Sequence, residues 1–533
     1  MVVVRVYFSD PKMVAELARW LEPWEVHSQQ GYLVVGVSPE EYDRLLKLGF
    51  RVEINWQMTE QVNQPVQRLP QQTGGIPGFP CYRTVAETYA SAQALVSAYP
   101  LLAAWDDIGD TWDKVQPDGD PGSDLMVLRL TNSNIPVPKP KLFITASIHA
   151  REYAPAELAT RFAEYLLHSY NKDPDVTWLL DYQEIHLLLQ ANPDGRKLAE
   201  TRSTDEYIWW RKNTDQTCSN QDARGVDLNR NFEFQWGSAG ASPYGCDDTY
   251  MGVSAASEPE TQAIQDYLRL QFPDQRGALI TDTAPITTTG VFIDLHSYGD
   301  LVLWPWGYTY SHAPNDLGLS RLGQKFAFFN QYEPEQAIIL YPTSGTTDDF
   351  AYGDRGVAAY TFEIGADTFF PDCDDFEQTI LPGNLPALLY AAKSARLPYQ
   401  TPAGPDITSA VVSPTVTAPG SLVRLTAQVD TTRYFTGTGQ AEPPVINNIL
   451  SAAYTIDTQP WLTATIPVTY TLAALDGSFD QPREAVTATL DISSLGTGRH
   501  IIYLRAQDTA GNWGPVSAAF LYLPSNFLPV ISK

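Results

Sequence analysis

Two hydrophobic periods take turns along the chain and divide it into three stretches. Residues 2–8, VVVRVYF, read as a strand. Asp10 can cap a helix with Pro11 at its first position, and Met13, Val14, Leu17, Ala18 and Leu21 form one apolar face at helical spacing. Strand-like runs follow at 24–28 and 32–37. Ser38-Pro39-Glu40-Glu41 is a capping-box pattern opening a second helix that stops at Gly49, and 51–56 is a last strand. The order strand, helix, strand, strand, helix, strand predicts a small ferredoxin-like α+β unit over 1–56. Residues 57–79, rich in Gln, Pro and Gly, read as a linker.

Over 80–402 apolar strands alternate with amphipathic helices. Strands are expected at 125–130, 141–148, 184–191, 290–295 and 358–364, and helices at 83–98, 154–170, 257–270, 314–330 and 382–396. This predicts an α/β domain, with helices on the faces of a sheet. The Pro-rich stretch LPYQTPAGPD at 397–406 closes it. Over 403–533, short alternating runs such as SLVRLTAQV, VTATLDI and HIIYLRAQD, parted by Gly, Pro and Asn turns, predict an all-β sandwich.

Charge narrows the partners. With 35 Lys and Arg against 62 Asp and Glu the net charge is −27, which repels phosphate backbones and argues against a nucleic-acid partner. Only 18% of residues are charged and 44% are apolar, so the acidity is not that of a disordered chain. No apolar stretch approaches the roughly 20 residues a membrane span needs. Arg5 and Asp10 interrupt the apolar run at the start, so no secretory leader is read there. The four cysteines are not spaced as C-x-x-C. Cys218 and Cys246 bracket a loop-like segment and read as one disulfide, and Cys81 with Cys373 is the candidate for a second. Four free buried thiols are the alternative. QPDGDPGSD, with Asp118, Asp120 and Asp124, reads as a polar hairpin loop in preference to a calcium site.

The candidate chemistry gathers where predicted strands end. One strand runs into His149-Ala-Arg151-Glu152, another into Asn192-Pro193-Asp194, a third into His296-Ser297-Tyr298, and a fourth ends at Glu363. Ligands of open α/β sheets bind at that edge. His149 and Glu152 lie about one helical turn apart, and His296 adds a third donor. Two imidazoles and one carboxylate leave a tetrahedral zinc with a position open to water, the catalytic pattern. The histidines at 27, 168, 186, 312 and 500 have no such company.

Trp210-Arg211-Lys212, the run Gly225 to Asn231 (GVDLNRN), YPTSGTTDDFAYG from Tyr341, and Thr361-Phe362-Glu363 follow in order. On these motifs the stretch 81–396 resembles the zinc carboxypeptidases of the carboxypeptidase A/B (funnelin, M14) family. The resemblance implies a mixed-sheet α/β catalytic domain that removes C-terminal residues from peptides. It implies that His149, Glu152 and His296 ligate zinc, that Glu363 is general base and acid, and that Arg211 polarises the scissile carbonyl. Asn229 and Arg230 would clamp the terminal carboxylate, Tyr341 would close over the substrate, and Arg151 would lie further along the groove. Asp227 is similar to the carboxylate that orients a zinc histidine. Asp348 falls where the family reads the substrate's last side chain, so Lys or Arg ends are expected, with apolar ends also accepted. The N-terminal unit resembles the family's pro-regions in topology, which makes it a candidate inhibitory cover, with a permanent accessory domain as the alternative. GRHIIYLRAQDTAGNWG resembles immunoglobulin-like or fibronectin-like modules, which attach some enzymes to surfaces or polymers. An extracellular location follows from the resemblance. Two competing readings are a zinc amidase acting on cell-wall peptides and a non-catalytic peptide- or surface-binding protein.

Overall fold

A computed structural model describes residues 1–10, 12–64, 68–116, 121–201, 209–220, 223–438, 441–462 and 467–525. Asp118 and Asp120 lie outside the described residues, and Asp124 pairs with Lys114.

The first sheet holds β1 (Val2–Tyr7), β2 (Glu25–His27), β3 (Tyr32–Val37) and β4 (Arg51–Ile54) in the order β2-β3-β1-β4, every pair antiparallel. Its helices are Lys12–Leu17 and Pro39–Lys47. The second carries the expected capping box: Glu41 N donates to Ser38 Oγ (3.2 Å) and Ser38 N to the Glu41 carboxylate (2.7 Å). Val4, Val6, Leu17, Leu33 and Leu45 form the core of this unit. The expected linker is not wholly irregular. Helix Trp56–Val62 occupies its start, capped by Asn55, because the Gly and Pro residues that break helices begin only beyond it.

The central sheet has eight strands: β5 (Ala103–Asp110), β6 (Asp124–Leu130), β7 (Lys141–Ala146), β8 (Glu184–Leu188), β9 (Val291–His296), β10 (Leu301–Trp304), β11 (Glu333–Gln336) and β12 (Ala358–Glu363). Their order is β11-β10-β12-β9-β7-β8-β6-β5. The middle run β12, β9, β7 and β8 is parallel, and antiparallel pairs flank it. All six residues of β9 are buried, as a central parallel strand requires. Helices Val85–Ala98, Tyr153–Ser169, Pro259–Gln271, Asp316–Asn330 and Leu381–Ser394 match expectation within a few residues.

The last sheet holds β13 (Asp406–Ser413), β14 (Val423–Asp430), β15 (Ile449–Ile456), β16 (Tyr470–Ala474), β17 (Arg483–Leu490), β18 (Gly498–Asp508) and β19 (Ser517–Leu523). A two-layer immunoglobulin-like sandwich was expected. The strands instead pair in one antiparallel order, β13-β14-β17-β16-β15-β18-β19. The reason is β16, whose first half pairs with β15 and second half with β17. The two ends of the sheet also meet, where Thr417 N donates to Tyr522 O (3.1 Å). The result is an all-antiparallel, nearly closed barrel.

Both disulfides form, Cys81–Cys373 and Cys218–Cys246. Among the described residues no helix is long and apolar enough to cross a membrane.

Candidate active site and metal centre

Strand register assembles the site. β12 lies parallel to β9 with Glu363 directly opposite His296, so the ends of two strands present both side chains together. His149 follows β7, the other neighbour of β9, and Glu152 leads into helix Tyr153–Ser169. Donor atoms of His149, Glu152 and His296 all lie within 4.8 Å of one another.

The imidazoles are held from behind. His149 turns Nδ1 to Glu152 Oε1 (2.7 Å) and Nε2 to Asp227 Oδ1 (3.2 Å). His296 turns Nδ1 to Glu152 Oε2 (3.2 Å) and Nε2 to Asp294 Oδ2 (3.0 Å). The two Nδ1 atoms lie 3.1 Å apart. A carboxylate behind each ring and a third between them is the donor chemistry that suits a divalent cation, with outer partners fixing ring orientation. The three residues therefore fit zinc.

Asp294 was missed in the sequence, although one signal pointed to it. Two residues before His296 on the same strand, it shares that histidine's face. It is fully buried and accepts hydrogen bonds from Thr145 Oγ1 (2.6 Å) and Thr347 Oγ1 (2.7 Å).

The charges respond to burial and to one another. Burial opposes ionisation of Glu152, yet His149 and His296 hold its carboxyl well below the usual range. Burial likewise opposes charge on His296, but Asp294 and Glu152 hold its pKa well above the usual value. Asp227 stays far below the carboxylate range despite burial because Arg211 and Arg230 lie close. Burial pushes Glu363 up to about 8, Glu152 and Asp294 adding to the rise while His296 and Arg211 oppose it.

The cleft above the donors is lined by Arg211, Asn229, Arg230, Tyr341, Asp348 and Glu363. Arg211 is fixed by two bonds to Asp227 Oδ2, Nε at 3.1 Å and Nη2 at 2.9 Å. Lys212, its neighbour, is a structural residue whose ammonium donates to the carbonyls of Ala223, Gly245 and Asp247. Asp227 caps the short 3-10 turn Leu228–Arg230, which carries Asn229 and Arg230. Arg230 Nε donates to Gly240 O (2.9 Å) and Asn229 Oδ1 accepts from Thr347 N (2.9 Å). Asp348 and Asp349 part ways at the start of helix Thr347–Arg355. Asp348 borders the cleft and accepts from Thr346 Oγ1 (2.8 Å), and burial raises its pKa. Asp349 accepts from Gly307 N (3.1 Å). Arg151 and Asp227 support the cleft from outside its lining.

The N-terminal unit also enters this cleft, through Glu22, Pro23 and Trp24. Glu22 pairs with both Arg151 and Arg211. Thr249 Oγ1 donates to Arg19 O (2.8 Å), Trp209 Nε1 to Val62 O (3.2 Å), and Tyr341 packs on the unit's core. Nothing in the sequence marks Glu22, because only folding brings residue 22 to residue 211.

An α/β mixed sheet with a His/Glu/His cluster at its parallel strand ends carries the donor set that metal-dependent hydrolases use. A zinc carboxypeptidase family model (Peptidase_M14) matches residues 88–381, more than half of the chain, and the chain belongs to that family. Carboxypeptidase A1 of Rattus norvegicus is 30% identical over 298 residues, 54% of this chain and 63% of the relative. A zinc carboxypeptidase of Saccharothrix mutabilis subsp. capreolus is 28% identical over 375 residues, 68% of this chain and 81% of the relative. The crystal structure of carboxypeptidase A from Helicoverpa armigera shares the fold, with a TM-score of 0.57 at 23% identity over 73% of this chain and 97% of that one. The chain spans 63% of the length of the rat relative and 51% of human carboxypeptidase B.

Proposed function

We propose that the protein is a zinc-dependent exopeptidase that removes single residues from the C-terminus of peptides and proteins. The observation that carries this reading is the meeting of the three donors and Glu363 with Arg211 and Arg230 in one cleft. When bound at His149, Glu152 and His296, zinc supplies Lewis acidity and lowers the pKa of water toward ~7. Glu363, beside His296, takes the proton of the attacking water and passes it to the leaving amine. Arg211, always charged, stabilises the negative charge that develops on the scissile carbonyl oxygen. Arg230 and Asn229 hold the free carboxylate, a recognition an endopeptidase has no need of. Tyr341 closes over the bound end.

Asp348 is assigned to reading a Lys or Arg side chain, because a buried carboxylate with a raised pKa gains most from a cationic partner. The division into 1–56, 57–79, 80–402 and 403–533 is proposed with the first part as an inhibitory cover. Its β2-β3-β1-β4 order supports the ferredoxin-like reading, and the pairing of Glu22 with Arg211 in the cleft and with Arg151 outside its lining supports the inhibition. Two disulfides support an extracellular location. The contacts of the C-terminal barrel with the central domain, among them Lys325 with Asp406 and Trp461 on Trp178, support bracing.

Metal analysis of the purified chain combined with product sequencing from a peptide library tests the reading. One zinc per chain and stepwise loss of C-terminal residues are expected. Internal cuts, or bound zinc with no hydrolysis of any free-ended peptide, would overturn it.

A further inference from the structure

Two buried acids take no part in the chemistry assigned so far. Glu258 and Glu260 stand at the start of helix Pro259–Gln271, 2% and 0% exposed, and among the described residues no cation pairs with either. One side-chain amide joins them: Asn213 Nδ2 donates to Glu258 Oε2 (2.7 Å) and to Glu260 Oε2 (3.3 Å). Glu260 Oε1 accepts from Trp112 N (2.8 Å) and Glu258 Oε1 from Ser257 Oγ (2.7 Å). Bonds run from this pair to both ends of the turn that carries Asn229 and Arg230. At one end Val226 N donates to Asn213 Oδ1 (2.8 Å) and Asn213 N to Val226 O (3.0 Å). At the other, Asn231 Nδ2 donates to Ser257 Oγ (3.0 Å) and Glu258 N to Asn231 Oδ1 (3.1 Å). The Arg230 guanidinium donates to the backbone carbonyls of Gly240 and Asn229, and among the described residues no carboxylate bonds to it. Its direction therefore follows the backbone of the turn.

We propose that Glu258 is a positioning residue for substrate recognition: backed by Glu260, it ties Asn213 to Asn231 and so aims Arg230 and Asn229 at the free carboxylate of the peptide. This rests on the exopeptidase reading. Glu258 touches no substrate atom and acts through the turn, on affinity for the carboxylate end. Arg211 is held separately, because Asp227, its partner, is fixed by its own N–H to Tyr250 O (2.8 Å). Burial pushes Glu258 up to about 7, with Asp215 adding to the rise and the Ser257 bond opposing it. Burial pushes Glu260 up to about 8, with Glu258 adding to the rise and the Trp112 bond opposing it. Two buried acids this close cannot both ionise cheaply, so the pair keeps a proton near neutrality. A neutral side chain of the same shape should therefore serve in place of Glu258.

The test reads binding by calorimetric titration of the full, zinc-loaded chain. Glu22→Gln frees Arg211 and Glu363→Gln silences hydrolysis, and this double variant is the parent. The probes are Nα-acetylarginine and Nα-acetylleucine, each against its own amide, which lacks the terminal carboxylate. In the parent at least one acid should bind about tenfold more tightly than its amide, the effect of the Arg230 and Asn229 clamp. Glu258→Ala should reduce that acid/amide ratio by about fivefold to tenfold, since a small misplacement of a positioned group is costly. Affinity for the amide should stay the same, which shows that the rest of the cleft is intact. Glu258→Gln should keep the parent's ratio. An unaltered ratio in Glu258→Ala, a fall of acid and amide together, or an equal loss in Glu258→Gln overturns the positioning role. A ratio near one already in the parent would instead sink the carboxylate clamp, and with it the exopeptidase reading.

Discussion

At His296 three elements settle the chemistry of one ring. β9 sets its direction, Asp294 on the same strand face holds Nε2, and Glu152 from the neighbouring helix start faces Nδ1. His296→Ala should lose metal and rate together, as metal analysis beside a peptide assay would record. Asp294→Asn should weaken zinc affinity by ~10- to 100-fold, since outer partners fix ring orientation and basicity, and competition with a chelator measures it. Glu363→Gln keeps the donor set but removes the proton acceptor. It should retain zinc and lose ~10²–10⁴-fold in kcat, and near-normal turnover would refute its role. Asp348→Ala should depress cleavage of C-terminal Arg far more than of C-terminal Leu. Equal losses on both peptides would mean that Asp348 does not read the side chain. His149, Glu152, His296 and Glu363 were readable because each follows an apolar strand run. Asp294 was hidden inside such a run.

Elements with a strong period or cap were equally plain. The helix Pro39–Lys47 announces itself through Ser38 and Glu41, and β9 and β12 through mostly apolar runs. β11 was not foreseen, since EPEQ carries no strand signal. It exists because β10 pairs with it, and Pro334 is tolerated because the strand is at the edge of the sheet. β5, AAWDDIGD, hides its alternation behind acidic residues. The docking of the N-terminal unit also has its own pH response. Burial raises Glu41 to about 7, aided by Asp248 and Asp247 of the central domain, while its bonds to Ser38 oppose the rise and Arg44 faces Asp247 (3.9 Å). The part of that rise that comes from Asp248 and Asp247 exists only in the docked state, so it favours docking while Glu41 is protonated and is lost as pH climbs through about 7. Cleavage within 57–79 by an added endoprotease should therefore quicken across this window, once corrected for the protease's own pH profile. Glu41→Gln should flatten the response.

The whole molecule is joined across its parts by groups distant in sequence. Within the central domain the Cys81–Cys373 disulfide ties residues 292 apart. The C-terminal barrel is locked to the central domain by Lys325, whose ammonium is buried against Asp406 (3.0 Å) and lies over the Tyr434 ring (4.2 Å). Trp461 packs on Trp178 at 5.4 Å, and Lys393 Nζ donates to Ser517 Oγ (3.1 Å). Asp406→Ala would strand a buried ammonium and should cost ~3–5 kcal/mol in denaturant unfolding. A loss below about 1 kcal/mol would show that the pair is not what holds the barrel. The amino-acid sequence by itself determined the order of elements, the α/β character of 80–402 and the donors of the candidate zinc site, because period, caps and strand ends are local properties. Tertiary structure alone decided which carboxylates stand behind the histidines, that Glu22 and Trp24 enter the cleft, and that the last seven strands join in one sheet. Those outcomes depend on which distant surfaces bury one another, and no local pattern encodes that choice.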